Sequence, residues 1–314
     1  MSVSPLRLPG RTTRSRYHLL WQVPAGVLVL MAVLTAANEW AVARSVHRTK
    51  DLAYVEAGSP GFPTERHRLD VFAPAGPTTA KRPVVVFIHG GSWNSGSKNL
   101  YGFIGRRLAH RGLVAVVINY RLSPSVQVPA MAEDCARAVV WTQKHIGRFG
   151  GDGERIFVMG HSAGGGLAAL LAVDDSLFSR LGSSKNPVRG AVLDDPAGLD
   201  MLDYLRKMEY PGDEQYLVPF GRDPAVWRSM SALYRVRSGI PPLLVYVGEK
   251  TYPSIARSTR KFRDRLRETG APFRFTVFPG KKHVGMVAQL FWKNNRIYKD
   301  LLHLVETGDL PKAE

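Results

Sequence analysis

Acidic residues are scarce in this chain: 26 Asp and Glu stand against 43 Lys and Arg, for a formal charge of +17 at neutral pH. Cysteine is scarcer still. Cys135 is alone among 314 residues, which excludes an internal disulfide and leaves a thiolate metal site without a second thiol. No His stands near Cys135 at metal-ligand spacing, so its plainest reading is a small apolar residue on a helix. The chain also has no Walker loop, no dinucleotide fingerprint behind a strand, no internal repeat and no low-complexity tract. Those absences argue against phosphate-cradling NTPases, dinucleotide enzymes and solenoids. No metal and no organic cofactor is expected. With 45% hydrophobic and 22% charged residues the composition is that of a globular protein. The length suits one α/β domain behind a distinctive N-terminus.

The positive surplus is uneven. Residues 1–50 carry Arg7, Arg11, Arg14, Arg16, Arg44, Arg48 and Lys50 against Glu39 alone. These flank residues 19–37, a run apolar but for Gln22 and about the length that crosses a bilayer core as a helix. Four arginines ahead of it predict, by the positive-inside rule, a cytoplasmic tail at 1–18, a transmembrane helix at 19–37, a connector at 38–65 and a domain outside the membrane. The alternative is a cleaved signal peptide and a secreted domain, because Ala41-Val-Ala43 fits a small-x-small processing site. The remaining charge is densest from Arg257 to Arg267, where Ile255, Phe262 and Leu266 recur at helical spacing. That is a solvated helix face, with attraction to an anionic membrane as a second effect. The distribution argues against nucleic acid as a partner, and nothing in it specifies an oligomeric state.

Residues 66–314 alternate strand-like and helix-like runs in the order of a doubly wound, mainly parallel α/β sheet. Strands are predicted at Arg68–Phe72, Pro83–Ile88, Leu113–Asn119, Arg155–Met159, Gly190–Leu193, Leu243–Val247 and Phe273–Phe278. Helices are predicted at Leu100–Arg111, Pro129–Phe149 and from Ala163 onward. Runs such as PVVVFI are apolar throughout, as strands covered on both faces are. A Pro- and aromatic-rich stretch around 196–242 breaks the rhythm and reads as a cap-like insertion.

Gly160-His-Ser-Ala-Gly164 follows a predicted strand and opens a helix of small residues. This is a G-x-S-x-G nucleophile elbow, in which small residues permit the tight turn that lifts the hydroxyl of Ser162 clear of the backbone. The helix N-terminus behind it favours developing negative charge. His89-Gly-Gly-Ser-Trp93 stands at the end of the PVVVFI strand, and His283 follows the last strand and a Pro279-Gly280 turn. That placement makes His283 the candidate base. His161, inside the elbow, needs no role.

The HGG and GHSAGG motifs together resemble those of the hormone-sensitive-lipase-like esterases, kynurenine formamidases and isoprenylcysteine methylesterases of the α/β-hydrolase superfamily. The resemblance runs from about Arg66 to the C-terminus and takes in Tyr120-Arg121, Gly150-Gly151-Asp152 and Gly280-Lys-Lys-His283. It implies an α/β-hydrolase fold and an oxyanion hole from the amides of Gly90, Gly91 and Ala163, with His89 ordering the loop. It also implies cleavage of a carboxylic ester through an acyl-enzyme on Ser162. The same residues leave open an amidase, a formamidase, an acyltransferase, or a non-catalytic binding protein on this scaffold.

The acid departs from that pattern. The family's slot after the penultimate strand, in Val247-Gly248-Glu-Lys-Thr251, holds Thr251, which carries no charge. Asp195, in Leu193-Asp-Asp-Pro-Ala197, is the preferred replacement, since this segment resembles the LDPA stretch of pancreatic-type lipases. Glu249 is the runner-up. Asp194 and Asp200 are further candidates, with capping or surface roles as their plainer reading, and Asp134 reads as a structural contact.

Overall fold

The computed structural model describes residues 44–56, 65–76 and 80–312, together with 30, 33–36, 39, 40 and 42. The chain divides into two compact units, Met1–Val42 and Ala43–Glu314. The predicted tail at 1–18 and most of the predicted membrane segment at 19–37 lie outside the described residues. Among the described residues, no helix is long and apolar enough to cross a membrane.

The second unit is built on an eight-stranded sheet in the order β1-β2-β4-β3-β5-β6-β7-β8. The strands are β1 Val46–Ala53, β2 Arg68–Pro74, β3 Arg82–Ile88, β4 Val114–Ile118, β5 Gly151–His161, β6 Val188–Asp194, β7 Leu243–Lys250 and β8 Phe273–Lys282. β1 and β2 are antiparallel to their neighbours, and from β4 to β8 every pairing is parallel. β1 lies inside the connector expected at 38–65, which corrects that reading. Among the described residues it is an edge strand partnered only by β2, and most of its polar side chains reach solvent, so it lacks the apolar run that marks the central strands.

Alternation along β3 sends Val84, Val86 and Ile88 to one core layer and Val85 and Phe87 to the other. Helices α1 (Gly102–His110), α2 (Val128–His145) and α3 (Ala163–Val173) follow β3, β4 and β5. α2 and α3 bury Val128, Met131, Leu167 and Leu171 in the first layer, whereas α1 buries Ile104 and Leu108 in the second. Each such aliphatic side chain contributes about 1.5–3 kcal/mol on leaving water. Between β6 and β7 the expected insertion carries α4 (Met201–Lys207) and α5 (Pro224–Ser229). α6 (Pro253–Glu268), α7 (His283–Ala288) and α8 (Arg296–Thr307) complete the fold. Cys135 is buried on α2.

Candidate active site

Ser162 stands between β5 and α3 at φ 57° and ψ −124°, a left-handed conformation that a side-chain-bearing residue rarely adopts. The glycines around it have no room for anything larger. A Cβ on Gly160 would lie 2.1 Å from the carbonyl oxygen of Gly164, and one on Gly164 would lie 2.2 Å from that of Ile88. The Ser162 amide donates to the Asp194 carbonyl at 3.1 Å, and its own carbonyl accepts from Ala197 N at 2.9 Å, so the elbow is tied to the end of β6.

His283 is the first residue of α7 and meets Ser162 from the far side of two strands. Ser162 Oγ donates to His283 Nε2 at 2.8 Å, and His283 Nδ1 donates to Asp195 Oδ2 at 2.6 Å. The tautomer follows from the partners: a nitrogen facing a carboxylate carries the proton, which leaves Nε2 free to accept. Asp195 is fully buried and takes φ 49°, turning its carboxylate out of the strand direction. Gly248 N donates to its Oδ1 at 2.9 Å, and the Thr251 hydroxyl donates to its Oδ2. Thr251 is therefore a partner of the carboxylate, a role that spacing alone does not reveal.

The other acids go elsewhere. Glu249 accepts from Gly280 N at 2.6 Å, bracing the turn before His283 without touching the ring. Asp200 caps α4 through Asp203 N and pairs with Tyr234 and Lys261. Asp134 binds His67 and Arg121 within the fold. Asp194 faces His161.

Gly90 and Gly91 follow β3. A Cβ built on Gly90 would lie 3.0 Å from that of Ser162, so the Gly90 backbone runs beside the serine. Gly91 has φ 124°, which glycine alone adopts without cost, and Ser92 and Trp93 continue the left-handed turn at 49° and 62°. Ala163 heads α3. His89 anchors this loop: its Nδ1 donates to the Gly90 carbonyl at 2.8 Å, and its ring stacks on Tyr120 at 4.4 Å. Burial, helped by the nearby Arg66 charge, lowers the His89 imidazole to about 4.

Ser162 and His283 open into a cavity of about 400 Å³ whose lining includes Trp93, Met201, Tyr204, Tyr216 and Tyr252. Trp93 meets Tyr216 and Phe220 edge-on, at 5.9 and 4.9 Å, so aromatics of the insertion wall the site. Asp203 and Arg257, which pair with each other, add charged groups to the lining.

A mainly parallel sheet with a serine on the turn after its central strand, and a carboxylate and a histidine after two later strands, defines an α/β-hydrolase-fold protein. Comparison narrows the class: the family model BD-FAE matches residues 69–263, and the chain belongs to that family. An isoprenylcysteine alpha-carbonyl methylesterase of Arabidopsis thaliana is 27% identical over 265 residues, 78% of this chain and 60% of the relative. Esterase LipC of Mycobacterium tuberculosis is 29% identical over 231 residues, 68% of this chain and 56% of the relative. The chain thus spans less than two thirds of the length of these relatives. Among solved structures, Esterase B of Lactobacillus rhamnosis covers 90% of this chain and 93% of its own at a TM-score of 0.69 and 21% identity. Esterase 2 of Thermogutta terrifontis, phosphonylated by sarin, covers 83% and 96% at 0.67 and 23%. Both share the fold.

Proposed function

We propose that this chain is a carboxylic ester hydrolase acting through an acyl-enzyme on Ser162. The observation that carries the reading is the continuous line of hydrogen bonds from Ser162 Oγ through His283 to Asp195, at 2.8 and 2.6 Å. His283 Nε2 takes the Ser162 proton as Oγ attacks the ester carbonyl, and Asp195 stabilises the imidazolium that forms. The amides of Gly90, Gly91 and Ala163 receive the oxyanion, each worth about 3–4 kcal/mol to the transition state. His283 then protonates the leaving alkoxide, and water clears the acyl-enzyme by the same route. No step requires a metal or an organic cofactor.

The aromatic lining of the cavity favours an ester with a hydrophobic acyl or alcohol part. The relatives named as esterases and methylesterases support the ester bond over the amide. The apolar residues 19–37 would hold the domain at a membrane, facing outward, a proposal carried by their composition and flanking arginines. Protease accessibility of the domain in intact cells tests that orientation.

Hydrolysis of p-nitrophenyl esters from acetate to long acyl chains, with Ser162→Ala as control, tests the activity. The expected result is turnover that vanishes in the variant, together with fluorophosphonate labelling confined to wild-type Ser162. A folded wild type that neither turns over any ester nor labels would leave a binding protein on a hydrolase scaffold.

A further inference from the structure

A second histidine–carboxylate couple lies against the first. Asp194 ends β6, His161 ends β5, and the two are register partners on neighbouring parallel strands. Asp194 is fully buried and His161 is 4% exposed. His161 Nδ1 donates to both the Asp194 carbonyl and Asp194 Oδ2, each at 3.1 Å. The His161 ring packs on that of His283, with centroids 4.8 Å apart and planes 32° from parallel. The other carboxylate oxygen, Asp194 Oδ1, is buried and has no hydrogen-bond partner among the described residues.

This arrangement is costly. A carboxylate withdrawn from water with one oxygen unpartnered is disfavoured by several kcal/mol, and apolar side chains could fill the same space. The register partners just before it, Met159 with Val192 and Gly160 with Leu193, are apolar. The strand pairing therefore does not need the couple, whereas His283 touches it.

The groups facing Asp194 are His161 on β5, Asp195 beside it, His283 on α7, Tyr101 ahead of α1 and Tyr298 on α8. Burial raises both tyrosine hydroxyls above their ordinary 10, so they stay neutral. Burial, with the Asp195 charge adding to it, also raises the Asp194 carboxyl, against the pull of His161 and His283. The couple thus accepts a proton more readily than a surface aspartate does.

We propose that the Asp194–His161 couple is a positioning element that governs the charge state of His283. This rests on the reading of His283 as the base. As a carboxylate with a neutral imidazole, the couple sets a buried negative charge across the ring stack from the imidazolium that forms when His283 takes the Ser162 proton. On gaining one proton it loses that charge. Its protonation therefore lowers activity as the pH falls.

The test is the pH profile of kcat/KM for a soluble p-nitrophenyl ester, measured on the full chain in wild type, His161→Gln and Asp194→Asn. Glutamine retains an amide N–H for Asp194 but takes no proton. Wild type is expected to lose activity toward acid more steeply than one proton allows over about the first tenfold, because protonation of the couple lowers the rate that neutral His283 supports. His161→Gln removes a group that opposes protonation of Asp194, so its acid limb is expected to begin at higher pH than in wild type. Asp194→Asn is expected to move the acid limb lower by on the order of one pH unit and the plateau down about tenfold. If both variants melt like the wild type and keep its slope and midpoint, the couple is packing only and the proposal is overturned. If Asp194→Asn does not fold, His161→Gln decides alone. A wild type without esterase activity at any pH overturns the hydrolase reading itself, a result distinct from unchanged profiles in active variants.

Discussion

Replacing Asp195 by Asn tests which carboxylate serves the site. Asp195 accepts from three donors, Gly248 N, the Thr251 hydroxyl and His283 Nδ1. An asparagine has one oxygen to offer. If that oxygen stays on Gly248 N, the amide N–H₂ faces Thr251 and His283, and Nδ1 must then accept rather than donate. The imidazole shifts its proton to Nε2, where it can no longer receive the hydrogen of Ser162. That tautomer reversal costs about 10⁴-fold in kcat, with KM little changed because nothing in the cavity lining moves. Glu249→Gln removes a charge that, among the described residues, accepts a hydrogen bond from Gly280 N alone, at 2.6 Å, so its expected loss is less than about threefold. The assay is steady-state hydrolysis of a p-nitrophenyl ester, with circular dichroism melts to confirm folding. A folded Asp195→Asn enzyme retaining more than about a tenth of wild-type kcat, beside a Glu249→Gln enzyme that has lost its activity, would refute the argument and move the acid into the β7 loop.

Thr251→Val deletes one of the two other hydrogen bonds to the Asp195 carboxylate, and a bond to a charged group of about 1.5 kcal/mol corresponds to roughly tenfold lower kcat at constant KM. Gly164→Ala places a methyl 2.2 Å from the Ile88 carbonyl oxygen, so β3 and α3 must separate; a loss of about 3 kcal/mol or failure to fold is expected in a urea melt. His89, lowered to about 4 by burial, is held neutral in the folded chain while an unfolded chain binds its proton from about 6.5 downward. Its contribution to stability is therefore whole above about pH 6.5 and is lost as pH falls toward 4, by about 3 kcal/mol; His89→Gln should flatten that part of the stability-versus-pH curve relative to wild type. A variant curve parallel to wild type over this window would remove His89 as its source.

The parts of the site legible in the chain are those whose chemistry is local. A serine raised on a tight turn needs small residues two positions either side, and amides brought close to an oxyanion need glycines in succession. Gly160, Ser162, Gly164, Gly90 and Gly91 therefore sit within short windows that announce themselves. The central strands are legible for a related reason: covered on both faces, they are apolar without interruption. β1 escaped because an edge strand with one partner and a wet face tolerates Arg48, Thr49 and Lys50, and such a run reads as linker.

Residue order alone determined the elbow, the loop after β3 and the histidine after the last strand, because each answers to backbone geometry within a few residues. Only the tertiary structure decided which of Asp195 and Glu249 meets His283. Those carboxylates belong to the ends of adjacent strands, and which one reaches His283 depends on the strand order β6-β7-β8 and on the φ of 49° at Asp195. The same folding made Thr251, which stands where an acid was expected, a donor to the Asp195 carboxylate, and set His161 against His283. Which carboxylate meets a histidine is a matter of direction in space, and direction is fixed by packing between segments far apart in the chain.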